Sequence, residues 1–425
     1  MIKFLTFFIL DSRVRKSTRN FLFNTFRKKE TKYRLKKVSE FYSNHIKRIK
    51  NKKGKIKVGF LVNENQKWNC QTLYDELEKN DKYEPVILLT QNEKIHKNKT
   101  ENYSDIKENF DFFQKKGLRI EFAYDLKKGK YLSLKKFNCD IIFFPQPWFL
   151  NCSQSVYNVA KYSLTAYVPY CFHMLEEENN YFVDFHDLLW MYFVESPLYE
   201  KKYAKKFSAK NVFFSGHTKL DNYLFSNEKD IKNSSDKKVI IYAPHHYNCF
   251  RHRFITFDWN GKELLDFAKK HSEFEWIFKP HPIFKNSLIE QNIMDIDSVN
   301  AYFDEWEKIG TVYTQGDYYN LFKKSSILIT DCISFLAEYM PTKNPVIFLK
   351  SLNQIAPFTE LGEKITEYYY KVHNWQEFCN TFETVVKNND DYLKTKRIEN
   401  LKYISMRKSA AGNIVEKFNS VLFSE

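Results

Sequence analysis

From residue 56 onward, short apolar runs alternate with segments in which apolar positions recur every three or four residues. The runs of the first half are KVGFLV (57–62), PVILLT (85–90), RIEFAY (119–124), DIIFFP (140–145), LTAYVP (164–169), LLWMYFV (188–194) and NVFFSG (211–216). They are β-branched or aromatic and bounded by polar residues, as strands buried on both faces of a parallel sheet should be. NCQTLYDELEK, which follows the first run, has the spacing of an amphipathic helix.

A second series starts after the polar stretch SNEKDIKNSSDKK, which has no apolar periodicity and reads as a linker. It contains VIIYAP (239–244), the helical pattern KELLDFAKKHS, FEWIFKP (274–280), TVYT (311–314), the helix YYNLFKKS, SILIT (326–330), the helix SFLAEYM and PVIFL (345–349). Strands alternating with helices imply right-handed βαβ units, and two such series imply two Rossmann-like, doubly wound parallel sheets facing a cleft. The expected organisation is an N-terminal segment 1–55, a first domain 56–225, a linker 226–238, a second domain 239–373 and C-terminal helices 374–425. The last of these, NIVEKFNSVLF, is expected to pack back across the lobes.

Charge changes the picture at one end only. The formal net charge is +15, and residues 1–55 supply all of it, with 18 Lys/Arg against 3 Asp/Glu; the other residues hold 49 of each sign. The opening MIKFLTFFIL is too short to span a bilayer, and the charge order of a signal peptide is missing. A basic segment carrying Phe21, Phe23 and Phe26 suits an anionic membrane surface, which places the protein in the cytoplasm, peripheral on the inner face of the membrane. A solvated capping helix is the plainer alternative. Nucleic-acid binding through this segment would leave the polar strand ends of the body unexplained, so no nucleic-acid partner is expected. The 7 cysteines are scattered without a CxxC pair, which fits a reducing compartment.

Ligands of doubly wound sheets collect beyond the carboxyl ends of the strands, and there the second half is unusual. VIIYAP runs into HHYNCFRHR, FEWIF into KPHP, TVYT into QGDYY and SILIT into DCIS. His245, Arg251, Arg253 and Lys279 are cationic or hydrogen-bonding candidates for a phosphate or pyrophosphate, with His281 held stiffly between two prolines. Asp331 and Ser334 sit where strand turns to helix, and Glu338 follows one turn later on the same face. Capping is the ordinary reading for an acid or hydroxyl at such a seam. The histidines show no spacing of a structural zinc site, so no metal is expected. Only 10 glycines occur, without a GxGxxG or P-loop, and the lone Asp-x-Asp, Asp295-Ile296-Asp297, lies away from the strand ends; no cofactor is called for.

The ordered set SGHTKLD (215–221), IIYAP (240–244), FKPHP (278–282) and TDCISFLAEYMPTKNPVIFL (330–349) resembles the CDP-glycerol glycerophosphotransferase family, the teichoic-acid and capsule polymerases and primases with a GT-B fold. Gly216, Lys219 and Asp221 match its Gly-x-Pro-Arg-x-Asp segment, with Lys for Arg. Lys279, His281 and Pro282 match its Lys-x-His-Pro strand end, and Asp331, Ser334, Glu338 and Pro345 match the last motif, where Cys332 and Ile333 replace Tyr and Ser. The family's His-Gly-Thr-Pro segment, whose histidine acts as base, has YVPYCFHMLEEEN as counterpart, which keeps His173 and loses the rest.

The resemblance implies attack by a hydroxyl of a glycan or lipid-linked acceptor on the β-phosphate of CDP-glycerol or a related donor, releasing CMP. His173 and His281 would be catalytic, and Lys219, His245, Arg251, Arg253, Lys279, Asp331, Ser334 and Glu338 would hold the donor. A GT-B glycosyltransferase using a CMP- or UDP-sugar needs much the same cleft and is the alternative.

Overall fold

The structure is a computed structural model describing residues 12–93, 99–176, 184–204, 210–225, 237–247, 253–314 and 318–423. The opening decapeptide, nearly all of the expected linker, Arg251, Glu177 and Glu178 lie outside the described residues.

The first half forms strands β1 (Ile56–Val62), β2 (Tyr83–Leu89), β3 (Ile120–Phe122), β4 (Tyr124–Asp125), β5 (Lys130–Tyr131), β6 (Ile141–Phe144), β7 (Leu164–Tyr167), β8 (Met191–Val194) and β9 (Val212–Phe214). All but β4 and β5 join one parallel sheet in the order β3-β2-β1-β6-β7-β8-β9. The run RIEFAY is therefore split: after β3 the chain turns into a separate antiparallel hairpin of β4 and β5. The second half forms β10 (Val239–Ala243), β11 (Glu275–Phe278), β12 (Thr311–Val312), β13 (Ile327–Thr330), β14 (Val346–Leu349) and β15 (Tyr370–Val372), a parallel sheet in the order β12-β11-β10-β13-β14-β15.

β6, β7, β8, β10, β13 and β14 are buried along their whole length, because helices cover both faces of each sheet. Phe257–Lys270 shows how the cover forms: Leu264, Leu265 and Ala268 are buried on one stripe, while its last turn ends in Lys269 and Lys270, which favour the negative end of the helix dipole.

The first and last described helices both pack on the first lobe. The helix Ser12–Lys50 is basic, but Val38, Tyr42 and Ile49 are buried, and Tyr42 Oη donates to the Leu188 carbonyl at 2.6 Å. His45 Nε2 meets the Ala160 carbonyl at 3.0 Å, and Lys52 pairs with Asp140 at 2.5 Å. The part of the N-terminal segment from Val38 on is thus built into the lobe. Among the described residues no helix is long and apolar enough to cross a membrane.

The helix Ala410–Leu422 packs back as its sequence pattern predicts. Phe418 stacks on Trp190 and meets Phe143, Phe193 and Tyr83. Asp221, from the first half, accepts the Ala410 and Ala411 N–H groups at 2.7 and 3.0 Å and so holds the helix's N-terminus.

Candidate functional site

In the second sheet, β11 and β12 lie on one side of the β10/β13 pair and β14 and β15 on the other. The crevice beyond Ala243 and Thr330 is therefore the topological switch point, where doubly wound sheets take their ligands. His245 and His246 follow β10, Lys279 to His281 follow β11, and Asp331 follows β13.

Asp331 is 1% exposed, and both its oxygens are used: Oδ1 accepts the His245 N–H at 2.7 Å, and Oδ2 accepts the Thr256 N–H at 2.9 Å and hydroxyl at 3.0 Å. It ties the loop after β10 to the end of β13. Burial pushes its carboxyl up to about 6, against the pull of these hydrogen bonds. Its part at the rim is to place His245.

His245, His246 and His281 pack ring to ring, with centroids 4.1, 4.5 and 4.8 Å apart. Burial drives all three down: His245 well below the usual imidazole range with help from His281 and His246, His246 to about 4, and His281 to about 3 with help from His246 and Lys279. They are neutral imidazoles at pH 7. The nitrogens lie within 4.8 Å of one another, a spacing able to hold a divalent ion. The hydrogen bonds favour another use. His281 Nδ1 accepts the Ile283 N–H at 3.3 Å, which puts its proton on Nε2 and makes that nitrogen a donor; a metal would have to displace that bond or that proton. His245 Nδ1 donates to the His246 carbonyl at 3.2 Å.

Lys279 is 4% exposed and caged by rings, with Nζ at 4.7, 5.1 and 5.7 Å from the centroids of Tyr318, Phe335 and Tyr313. Burial lowers its pKa, and the ring faces hold the ammonium in place of water. Glu338, also 1% exposed, is engaged: Oε1 pairs with Lys219 of the first lobe at 3.1 Å, and Oε2 accepts from Tyr318 Oη. Ser334 is the second residue of the helix Ile333–Tyr339, half-buried, with its hydroxyl 3.5 Å from Cys332 Sγ; the cap position belongs to Cys332, which makes no side-chain cap bond. Arg253 is exposed. Asp295 caps the helix Ile296–Ile309 by accepting the Ser298 N–H at 2.7 Å, which accounts for the Asp-x-Asp.

On the first lobe, His173 lies in the loop after β7, 3% exposed. One Glu195 oxygen accepts the His173 backbone N–H at 2.9 Å and pairs with Nδ1 at 3.0 Å. Burial works to raise the Glu195 carboxyl, but the His173 ring and N–H win and hold it below the usual carboxylate range. With the carboxylate 3.0 Å from Nδ1, a ring proton is favoured there, which leaves Nε2 as the basic nitrogen. The same loop is stitched to the second lobe. Thr359 Oγ1 donates to the His173 carbonyl at 2.8 Å, the Thr359 N–H to the Met174 carbonyl at 2.9 Å, the Glu176 N–H to the Pro357 carbonyl at 2.9 Å, and Leu175 and Phe358 form an antiparallel bridge.

The structure thus gathers His245, Lys279, His281 and Asp331 at one rim, with Lys219 reaching Glu338 across the cleft. Glu195, Thr256 and Thr359 are additions. Glu195 had a readable signal, a charge closing the apolar run MYFV; the threonines had none.

The chain matches the family model described as CDP-Glycerol:Poly(glycerophosphate) glycerophosphotransferase over residues 40–354. A search of the curated proteins found no match. Among solved structures, the wall teichoic acid polymerase TagF aligns at TM-score 0.55 and 11% identity, covering 95% of this chain and 97% of that one. The UDP-GlcNAc 2-epimerase of Neisseria meningitidis bound to UDP-GlcNAc aligns at 0.58 and 16%, covering 86% and 99%. The S. aureus MnaA complex with UDP aligns at 0.55 and 13%, covering 86% and 97%. At these identities the structural likeness establishes the fold, which is GT-B-like.

Proposed function

The chain belongs to the CDP-glycerol:poly(glycerophosphate) glycerophosphotransferase family, and from that premise we propose that it transfers glycerol phosphate, or a similar polyol phosphate, from a CDP-activated donor to a hydroxyl of a glycan or lipid-linked acceptor. The product belongs to a teichoic-acid-like or capsule polymer.

The observation that carries this reading is the pairing of two rims. A histidine backed by a buried carboxylate stands on the first lobe, and a rim of imidazoles with a caged lysine stands on the second. The acceptor oxygen attacks the β-phosphorus and a new P–O bond forms; the bond from that phosphorus to the oxygen bridging to the α-phosphate breaks, and CMP leaves with the electron pair. The acceptor proton passes to His173 Nε2, and Glu195 stabilises the imidazolium that results. Charge on the transferring phosphoryl oxygens is met by His281 Nε2–H and the Lys279 ammonium, already placed by the fold and costing no reorganisation. Asp331 and Thr256 hold the loop of His245 against this rim. The first lobe is taken as the acceptor domain and the second as the donor domain.

Incubating the protein with CDP-glycerol, CDP-ribitol, CMP-sugars and UDP-sugars, and identifying the nucleotide released, tests the reading. CMP from CDP-glycerol or CDP-ribitol is expected. Turnover of sugar nucleotides alone would move the protein to the glycosyltransferase alternative.

The basic N-terminus is proposed to hold the protein on the inner membrane face. Since Val38 onward belongs to the first lobe, removal of residues 1–29 is the clean test. It is expected to abolish sedimentation with phosphatidylglycerol vesicles and leave turnover of a soluble acceptor intact; unchanged sedimentation would contradict it.

A further inference from the structure

The first sheet has a switch point of its own. β2 and β3 lie on one side of the β1/β6 pair and β7, β8 and β9 on the other, so the loops after β1 and β6 bound a crevice equivalent to the donor crevice of the second lobe. Trp148 and Tyr170 meet edge to face there, with centroids 6.1 Å apart, and both are half-buried. Lys67 Nζ lies 5.5 Å from the Tyr170 centroid and donates to Glu64 Oε1 at 2.8 Å and Gln146 Oε1 at 2.7 Å. Gln146, fully buried, donates to the Trp148 carbonyl at 3.1 Å. Tyr170 lies three residues before His173.

Two further observations mark this as a place built for a ligand. Phe149, beside Trp148, has φ 57°, a left-handed conformation that a bulky residue adopts only when its surroundings impose it, and such strain collects at binding sites. Asn63, which directly follows β1, is 4% exposed, and neither atom of its side-chain amide has a hydrogen-bond partner. A buried amide left unpaired is costly, and a ligand hydroxyl would relieve it.

We infer that this crevice binds a sugar ring of the acceptor, with Trp148 as the platform for the ring's C–H face and Asn63, Glu64 and Lys67 as partners for its hydroxyls. The inference rests on the transferase reading for its role as an acceptor subsite. The chemistry separates a sugar from a polyol phosphate chain. A pyranose presents a flat apolar face to an aromatic ring, which an open-chain polyol lacks. Lys67, the cation beside Tyr170, is already paired with Glu64 at 2.8 Å and so is not left free for a phosphate.

The test uses the full chain with methyl N-acetyl-β-D-glucosaminide and a glycerol phosphate trimer as acceptor probes. The glucosaminide is expected to serve as acceptor. Trp148→Ala should raise its KM at least tenfold and leave the KM for CDP-glycerol within twofold, and Trp148→Phe should recover most of the loss. An unchanged acceptor KM in Trp148→Ala, or use of the trimer with no use of the glucosaminide, would overturn the inference. If no donor is turned over, the proposed function fails, and saturation-transfer NMR decides this inference by itself. Transfer to the glucosaminide that disappears in Trp148→Ala sustains a sugar site; equal or absent transfer in both proteins refutes it.

Discussion

The two rims of the cleft are held in different ways. The second-lobe rim is tied together inside its own sheet: Asp331 joins the loop after β10 to the end of β13, and the Lys279 and His281 N–H groups donate to the Tyr242 and Pro244 carbonyls at 2.8 and 3.0 Å. The His173 loop is tied across the cleft, to Pro357, Phe358 and Thr359 of the other lobe. A rim fixed within one sheet is preformed for the donor proposed above. His173, the base of the proposed reaction, sits in a loop held by both lobes, through Glu195 on one side and Thr359 on the other, so donor binding and proton transfer should respond to different substitutions.

The largest separation is expected at Glu195→Gln. The amide removes the charge beside Nδ1 that would stabilise the imidazolium, so kcat should fall by roughly 10² to 10⁴ while the donor KM stays near wild type. Steady-state kinetics in both substrates checks this, and a matching rise in donor KM would merge the two rims into one.

Asp331→Asn addresses the preformed rim through pH. The folded carboxyl is raised to about 6 from an ordinary 3.8, so the native state binds more protons than the unfolded state between those values. Wild-type stability should therefore fall as pH rises from about 4 to 6 and level off above, by about 3 kcal/mol at most from this group. The asparagine variant lacks this slope. Urea unfolding of both proteins across that pH range reads the difference, and parallel curves would show that burial does not strain Asp331.

Gly362→Ala probes the shared loop. A Cβ at Gly362 would lie 2.3 Å from the Met174 carbonyl oxygen, one residue after His173. The helix Glu360–Thr366 must move off the loop, at about 1–3 kcal/mol of stability. A several-fold drop in kcat with unchanged donor affinity is expected; a change in donor affinity alone would place the loop's role at the other rim.

Much of the fold was legible because buried parallel strands announce themselves as apolar runs, and each run from KVGFLV to PVIFL contains or overlaps a strand. β15 and the hairpin were not legible: Tyr370–Val372 and the two-residue β4 and β5 are too short to carry a period, and pairing defines them. The rim of His245, Lys279, His281 and Asp331 was legible as polar residues interrupting apolar runs. How they act was not. That Asp331 serves two backbone N–H groups and that Glu338 is spent on Lys219 and Tyr318 depend on contacts between residues far apart in the chain. The same applies to Lys67 and Trp148, which stand in ordinary loop sequence and gain meaning from the order of strands around them.

Calorimetric titration of CDP-glycerol into wild type, His173→Ala and His281→Ala, each paired with a transfer assay, tests the division of labour most directly. The account predicts that His173→Ala binds the donor like wild type and transfers nothing, while His281→Ala loses at least tenfold in donor affinity. Wild-type donor binding by His281→Ala, or loss of binding in His173→Ala, would contradict it.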